Sequence, residues 1–221
     1  MAPSPTSLAF EVLPLALGAA VSPLLLVGQV LTLTSPGSGL RRGWCFAFGS
    51  ALVVVVWAVL GLATGAALPA RSSGPDPVSA CLHLVLAIVL LVIGIEILQR
   101  PAPQKVAPTA PVAHPLRGSF LLGLGLMAAN LTSLVLFLPA IQDVARSGAS
   151  TITQGLMVGL VSLITLLPAL GPLLALVLAG SSGRRRLVAL SSWSERHQRQ
   201  INAALCFGFS IYLAISGLLR L

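Results

Sequence analysis

The sequence predicts an all-α polytopic membrane protein, with six transmembrane helices as a three-plus-three inverted repeat and helices one and five broken or kinked. Three observations lead there. Hydrophobic residues make up 56% of the chain and charged residues only 8%, with a mean hydropathy of +0.98. Those apolar residues fall in blocks of about 20 or more, the length a helix needs to cross a hydrocarbon core. A proline- and alanine-rich stretch, "QRPAPQKVAPTAPVAHPLR" at 99–117, divides the blocks into two sets of three. Because three is odd, the second set enters the membrane from the opposite side, the topology of an inverted repeat.

In chain order the spans read 8–34, 43–67, 78–98, 118–141, 152–179 and 201–219. The first half is therefore 1–98, the linker 99–117 and the second half 118–221, all one membrane domain. Span one holds "GAAVSP" at 18–23, with Pro23 near mid-depth. Proline removes a backbone hydrogen bond there, and in lipid a break must be covered by protein or by a wet cavity. Span five holds "TLLPALGP", with Pro168 and Pro172 four apart and Gly171 between them; it too should kink. Pro139 reads as a terminator of span four. "LGAAVSPLLLV" in span one and "LGLMAANLTSLVLF" in span four share a glycine, paired alanines, a polar residue and then aliphatics, with Asn130 falling where Ser22 and Pro23 fall.

The basic residues set the topology. Arg41, Arg42, Arg100, Lys105, Arg117, Arg184, Arg185, Arg186, Arg196 and Arg199 all lie in odd-numbered loops, against Arg71, Arg146 and Arg220 on the other side. The positive-inside rule then places loops 35–42, 99–117 and 180–200 in the cytoplasm and both termini outside, in a multi-pass plasma (inner) membrane protein. The formal net charge of +8 is read as topology and headgroup contact, with no nucleic-acid partner. Residues 1–10 lack the basic n-region of a signal peptide, so span one is expected to be retained. Residues 181–200 read as an interfacial amphipathic segment, Leu187, Val188, Leu190 and Trp193 dipping toward the headgroups.

The rare polar residues are the candidate site. Ser22, Pro23, Gln29, Asn130, Thr132, Thr165, Pro168 and Pro172 are expected to line a midplane translocation path, with Ser133 continuing its polar patch. Asn130 needs a partner at that depth, whether a neighbouring helix or a substrate. Arg41, Arg42 and Arg117 are candidates for receiving an anionic headgroup. Glu11 and Glu96 are the candidate coupling acids, both near span ends, and their position weighs against strong proton coupling. Small residues four apart (Gly61 and Gly65, Gly155 and Gly159, Ala204 and Gly208) allow close helix contact within a bundle or across a homodimer face. Cys45, Cys81 and Cys206 have no zinc-type spacing, and His83, His114 and His197 have no ligand partner nearby in sequence, so no metal and no cofactor are expected. No grouping of His with carboxylates and no Gly-rich phosphate loop is present, and the chain is not expected to be an enzyme.

The stretch "LPLALGAAVSPLLLVGQVLTLTSPGSGLRRGWCFAFGSALVVV" resembles the start of the peptidoglycolipid addressing proteins, also called the GAP or sulfolipid-addressing-like family, of the lysine exporter (LysE) superfamily. Gly18, Ala19, Ala20, Ser22 and Pro23 match its opening; Arg41, Arg42, Gly43, Phe46 and Gly49 match the start of its second span. In related exporters the second half carries an Asn-Pro-Lys-like motif, of which "AANLTSL" keeps Asn130 alone. The resemblance implies export of an amphipathic cell-envelope glycolipid, with membrane lipids as partners. Two alternatives stand beside that reading: a small-solute exporter for amino acids or ions, and a non-transporting accessory protein that positions other lipid-export components.

Overall fold

The computed structural model describes residues 5–35, 38–68, 77–99 and 115–219, and only the backbone at 5–7, 78–79 and 179–185. Most of the Pro/Ala linker, with Arg100, Lys105 and His114, falls outside the described residues, as do Arg71 and Arg220. Eight helices and no strand are present among them: α1 Pro5–Ala20, α2 Pro23–Thr34, α3 Gly39–Ala67, α4 Pro77–Gln99, α5 Leu116–Ala128, α6 Leu131–Arg146, α7 Thr151–Thr165 and α8 Leu167–Leu218.

Three helical stretches are long and apolar enough to cross a membrane alone: Gly39–Ala67, Ala80–Gln99 and Arg186–Leu218. Three more pairs pass the same test jointly, each bent at a short break: α1 with α2 by 55°, α5 with α6 by 69°, and α7 with Leu167–Leu178 by 70°. Counting each pair as one crossing gives six. The breaks expected in spans one and five are present. Span four is broken as well, which the sequence reading did not anticipate, because no proline stands at that break.

Capping chemistry explains the bends. α1 stops at Ala20, Ser22 becomes the N-cap of α2, and its Oγ accepts from the Leu25 amide at 3.4 Å. Pro23 is then the first residue of the new helix, where its missing N–H costs nothing. Asn130 does the same for α6, its Oδ1 accepting from the Ser133 amide at 3.4 Å. The third break lies at Leu166, two residues before Pro168, which sits in the first turn of α8. Pro139 terminates nothing: α6 runs through it to Arg146.

Two segments read as loops are helical. Arg41 and Arg42 belong to the first turn of α3, and 180–200 lies wholly within α8. That helix is 52 residues long. If straight, it would set Leu173 and Phe209 about 54 Å apart. Yet Leu173 packs at Gly43 beside Leu33 of α2, and the Phe209 ring covers Gly18 of α1. Gly18 and Leu33 are at most about 25 Å apart along their own span. α8 therefore bends back on itself, and its last part returns along α4.

The interior is apolar and close-packed: Phe46, Phe137, Leu136, Met127 and Leu213 are fully buried. Large aliphatic and aromatic residues also cover the outside, among them Phe10, Leu31, Phe48, Val59, Leu121, Ile152 and Leu178. A surface this apolar suits lipid and not water. With lipid outside, helix association rests on close packing and interhelical hydrogen bonds. The tightest seam is between α3 and α5. A Cβ on Gly49 would run into the Phe120 carbonyl, and one on Gly123 into the Phe46 carbonyl. Ser50 Oγ donates to the Phe46 and Gly123 carbonyls at 3.1 and 3.2 Å, stitching the same seam. Gly61 and Gly65 pack onto Ile141, Gln142 and Ala145 of α6, whereas a side chain at Gly155, Gly159 or Gly208 would meet open space.

Candidate functional site

The first two breaks meet. Asn130 Nδ2 donates to Ser22 Oγ at 2.8 Å, joining residues 108 apart in sequence. Ser133 Oγ donates to the Ala19 carbonyl at 2.7 Å, covering an acceptor in the last turn of α1. Each broken pair thus caps its own second helix, and the α5–α6 pair donates both cross-bonds, to Ser22 Oγ and to the Ala19 carbonyl. This is the arrangement lipid demands of an interrupted helix: freed backbone groups need partners from neighbouring helices.

The junction borders the outer surface of the bundle. Asn130 is half-buried, its neighbours Ala129 and Leu131 are exposed, and Val21 beside Ser22 is exposed too. Thr132 is half-buried and its side chain lies beside Cys206 of α8. The structure therefore brings together Ser22, Pro23, Asn130, Thr132 and Ser133.

Gln29 lies about two turns further along α2 and is fully buried. Its Nε2 donates to the Gly43 carbonyl at 3.2 Å, while its Oε1 has no hydrogen-bond partner among the described residues. Leaving a buried amide oxygen unpaired costs about 1–3 kcal/mol. One turn on, Thr32 Oγ1 donates to the Gly28 carbonyl of its own helix at 2.7 Å.

The residues of the third break behave differently. Thr165 is fully buried and its Oγ1 donates to the Val161 carbonyl of its own helix at 2.8 Å. Pro168 and Pro172 are buried within α8. No hydrogen bond among the described residues ties this break to the Ser22–Asn130 junction.

Arg41 and Arg117 are exposed and Arg42 is half-buried. All three lie in the first turns of α3 and α5, and the Gly49–Gly123 seam sets those two starts at the same end of the molecule. Arg199 lies at that end as well: its guanidinium donates to the Ile97 and Leu98 carbonyls at the C-terminus of α4. Arg186 and Arg196 are exposed on α8 with Val188, Leu190 and Trp193. Glu96 is exposed near the end of α4, and Glu11 is half-buried on α1 at the opposite end.

Sequence reasoning missed a second polar contact. His83 Nε2 of α4 stands 3.8 Å from Asp143 Oδ2 of α6, with 2% and 5% of the two side chains exposed. Sixty residues separate them, and no local pattern announces the pairing. The Asn130 break did have a signal: asparagine three residues before Ser133 is a good N-cap. Among the described residues no group of three or more His, Cys, Asp or Glu is placed to hold a metal ion, and all three cysteines are free.

A family model described as Sap, sulfolipid-1-addressing protein, matches residues 12–219. No curated protein and no solved structure matches the chain.

Proposed function

The chain belongs to the sulfolipid-1-addressing protein family, and from that premise we propose that it moves an amphipathic, anionic cell-envelope glycolipid across the membrane toward the outer side. The observation that carries the reading is the Asn130–Ser22 bond. It joins two interrupted helices and their polar groups beside exposed residues on the outer surface of the bundle. A lipid can pass such a point with its tails still in hydrocarbon and only its headgroup among protein groups. That asks little buried charge of the protein, and the chain has little.

In this reading the arginine-bearing end faces the cytoplasm, as the positive-inside rule requires, and both termini lie outside a plasma membrane. Arg41, Arg42 and Arg117 receive the anionic headgroup. Gln29 Oε1 accepts from a headgroup hydroxyl once α2 and α3 part, and Ser22 and Asn130 exchange their mutual bond for bonds to the same headgroup. The two sets of three spans act as opposed halves around that point. The protein carries out no covalent chemistry on the lipid.

The test is translocation in proteoliposomes of phosphatidylethanolamine and phosphatidylglycerol, using a fluorescent sulfated glycolipid as tracer. The intact protein is expected to speed tracer crossing at least tenfold over protein-free vesicles. The triple change Arg41→Gln, Arg42→Gln, Arg117→Gln should lower the rate at least fivefold for the sulfated tracer and far less for a neutral one. Gln29→Leu should abolish crossing while leaving thermal stability equal or higher, because it removes an unsatisfied acceptor. Crossing no faster than in protein-free vesicles sinks the proposal.

A further inference from the structure

The His83–Asp143 contact has no role in the path just described. Both side chains are almost fully enclosed, and they come from helices that share only a small interface. Ionisable residues buried in a span are costly and mark relays or couplings more often than packing. We propose that this pair is a proton-binding site that latches the outer end of α4 to α6, and that lipid movement is driven through it by the proton gradient. The second clause rests on the transport reading above; the first does not.

The chemistry is a single reversible proton transfer. Hydronium on the outer side gives its proton to the His83 imidazole and becomes water. The imidazolium then carries a hydrogen on both ring nitrogens, whichever tautomer the neutral ring had. At 3.8 Å from Asp143 Oδ2 the contact becomes an ion pair. Loss of the proton leaves a neutral ring against the carboxylate and loosens the latch. Histidine is the side chain whose charge changes in the range a membrane gradient spans.

Other groups face the pair. On α6, Arg146 is buried one turn beyond Asp143. On α1, Glu11 lies at a similar height: the Ser133–Ala19 bond fixes the register, and Glu11 and Asp143 are then about 12 and 15 Å above it. On α8, Gly217 packs against His83 and Ala80, and no charged residue is described at that end. α3 brings only Thr64, which accepts from Gln142 Nε2 at 2.9 Å. α7 carries no charge.

A contact path connects the latch to the lipid site. α4 and the last part of α8 pack along their lengths, through Gly217 on His83, Ser210 Oγ donating to the Ala87 carbonyl at 2.8 Å, and Gly94 at Cys206. From that stretch of α8, Phe209 covers Gly18 just before the first break, and Cys206 lies beside Thr132, two residues from Asn130. Moving α4 with α8 therefore shifts groups against both breaks. A path of contacts is geometry alone; coupling has to be measured.

Two measurements separate the site from its coupling. The first is pH-difference infrared spectroscopy of the full chain in nanodiscs, between pH about 5.5 and 7.5, spanning the ordinary histidine range. In a chain whose other two histidines are changed (His114→Gln, His197→Gln), imidazole and carboxylate bands are expected and should disappear when His83→Gln or Asp143→Asn is added. The double variant His83→Gln, Asp143→Asn keeps size and polarity if either single change misfolds. The second is tracer crossing in proteoliposomes under an imposed pH gradient. Reversing the gradient should change the rate at least fivefold in the intact protein and less than twofold in the variants. Bands that persist in the variants overturn the proton site. Bands that vanish, with crossing in the intact protein indifferent to the gradient, overturn the coupling. If the intact protein moves no tracer at all, the transport reading and the coupling fail together, and the infrared bands still decide the proton site.

Discussion

Three helix pairs of this protein are bent at a short break, and two of the breaks treat their neighbours differently from the third. At Ser22 and Asn130 each break ends in a capping side chain, and the two caps are bonded to each other at 2.8 Å. At Leu166 the chain turns by 70° onto a helix with Pro168 in its first turn, and the nearby hydroxyl of Thr165 turns back on its own helix. The first arrangement depends on two distant parts of the chain staying in register. The second is local. A break whose polar groups are shared between halves can open to a ligand by exchanging partners, and a break settled within one helix has nothing to exchange. The proposed path is therefore assigned to the first two breaks, and the third is read as a bend that shapes the bundle.

The strongest way to strain this contrast is through the seam that holds α5 in place. Gly49 and Gly123 each face a backbone carbonyl of the other helix, which cannot step aside. Gly123→Val should cost at least about 3 kcal/mol, the upper range for overpacking, a large share of the ~5–15 kcal/mol typical of a folded domain. It should appear as loss of monodisperse protein on size exclusion. Gly159→Val on α7 adds the same atoms where nothing lies within reach; its yield and melting temperature should match those of the unchanged chain. Equal damage at both positions would mean that the α3–α5 seam is not what holds the second break against the first.

A smaller effect is expected at the junction itself. Asn130→Leu removes a cap worth about 1 kcal/mol and an interhelical bond worth about 0.6 kcal/mol. Tracer crossing should fall at least tenfold, far more than that modest loss of stability would produce. A double-mutant cycle of Ser22→Ala with Asn130→Ala, followed by thermal unfolding in nanodiscs, should give a coupling of about 0.6 kcal/mol. Independent effects on both stability and crossing would show that the two breaks do not act as a unit.

Much of this was legible beforehand, for physical reasons that differ by element. Span length and hydropathy announce a membrane protein because lipid leaves few alternatives to the helix. Pro23 and Pro168 announced their bends, although at Leu166 the turn precedes the proline, which occupies the first turn of the following helix. The Asn130 break carried no proline. In the sequence, asparagine there reads as a polar point within a span, whereas its structural work is to cap α6. The arginine pair at 41–42 looked like loop, yet a helix starts at Gly39, where Gly43 lets Leu33 and Leu173 close in. Pairing between His83 and Asp143 was beyond reach, since only the packing of α4 beside α6 and α8 brings the two together.

The smallest effects belong to the third break, and they decide whether the contrast survives. Pro168→Ala replaces a residue whose missing N–H falls in a helix's first turn, where it is tolerated, so the change should stay within about 0.5 kcal/mol, as for substitutions that disturb no cap or core contact. Thr165→Val keeps shape and deletes a hydroxyl that serves an acceptor of its own helix. Such back-bonding contributes little to a helix, and tracer crossing should stay within twofold of the unchanged protein for either variant. The comparison with Asn130→Leu is what matters, because both sites are buried or half-buried and both lie at a bend. A tenfold fall on removing the Thr165 hydroxyl would put the third break in the pathway, and the lipid would then have to meet α7 and α8 as well as the paired caps of α2 and α6.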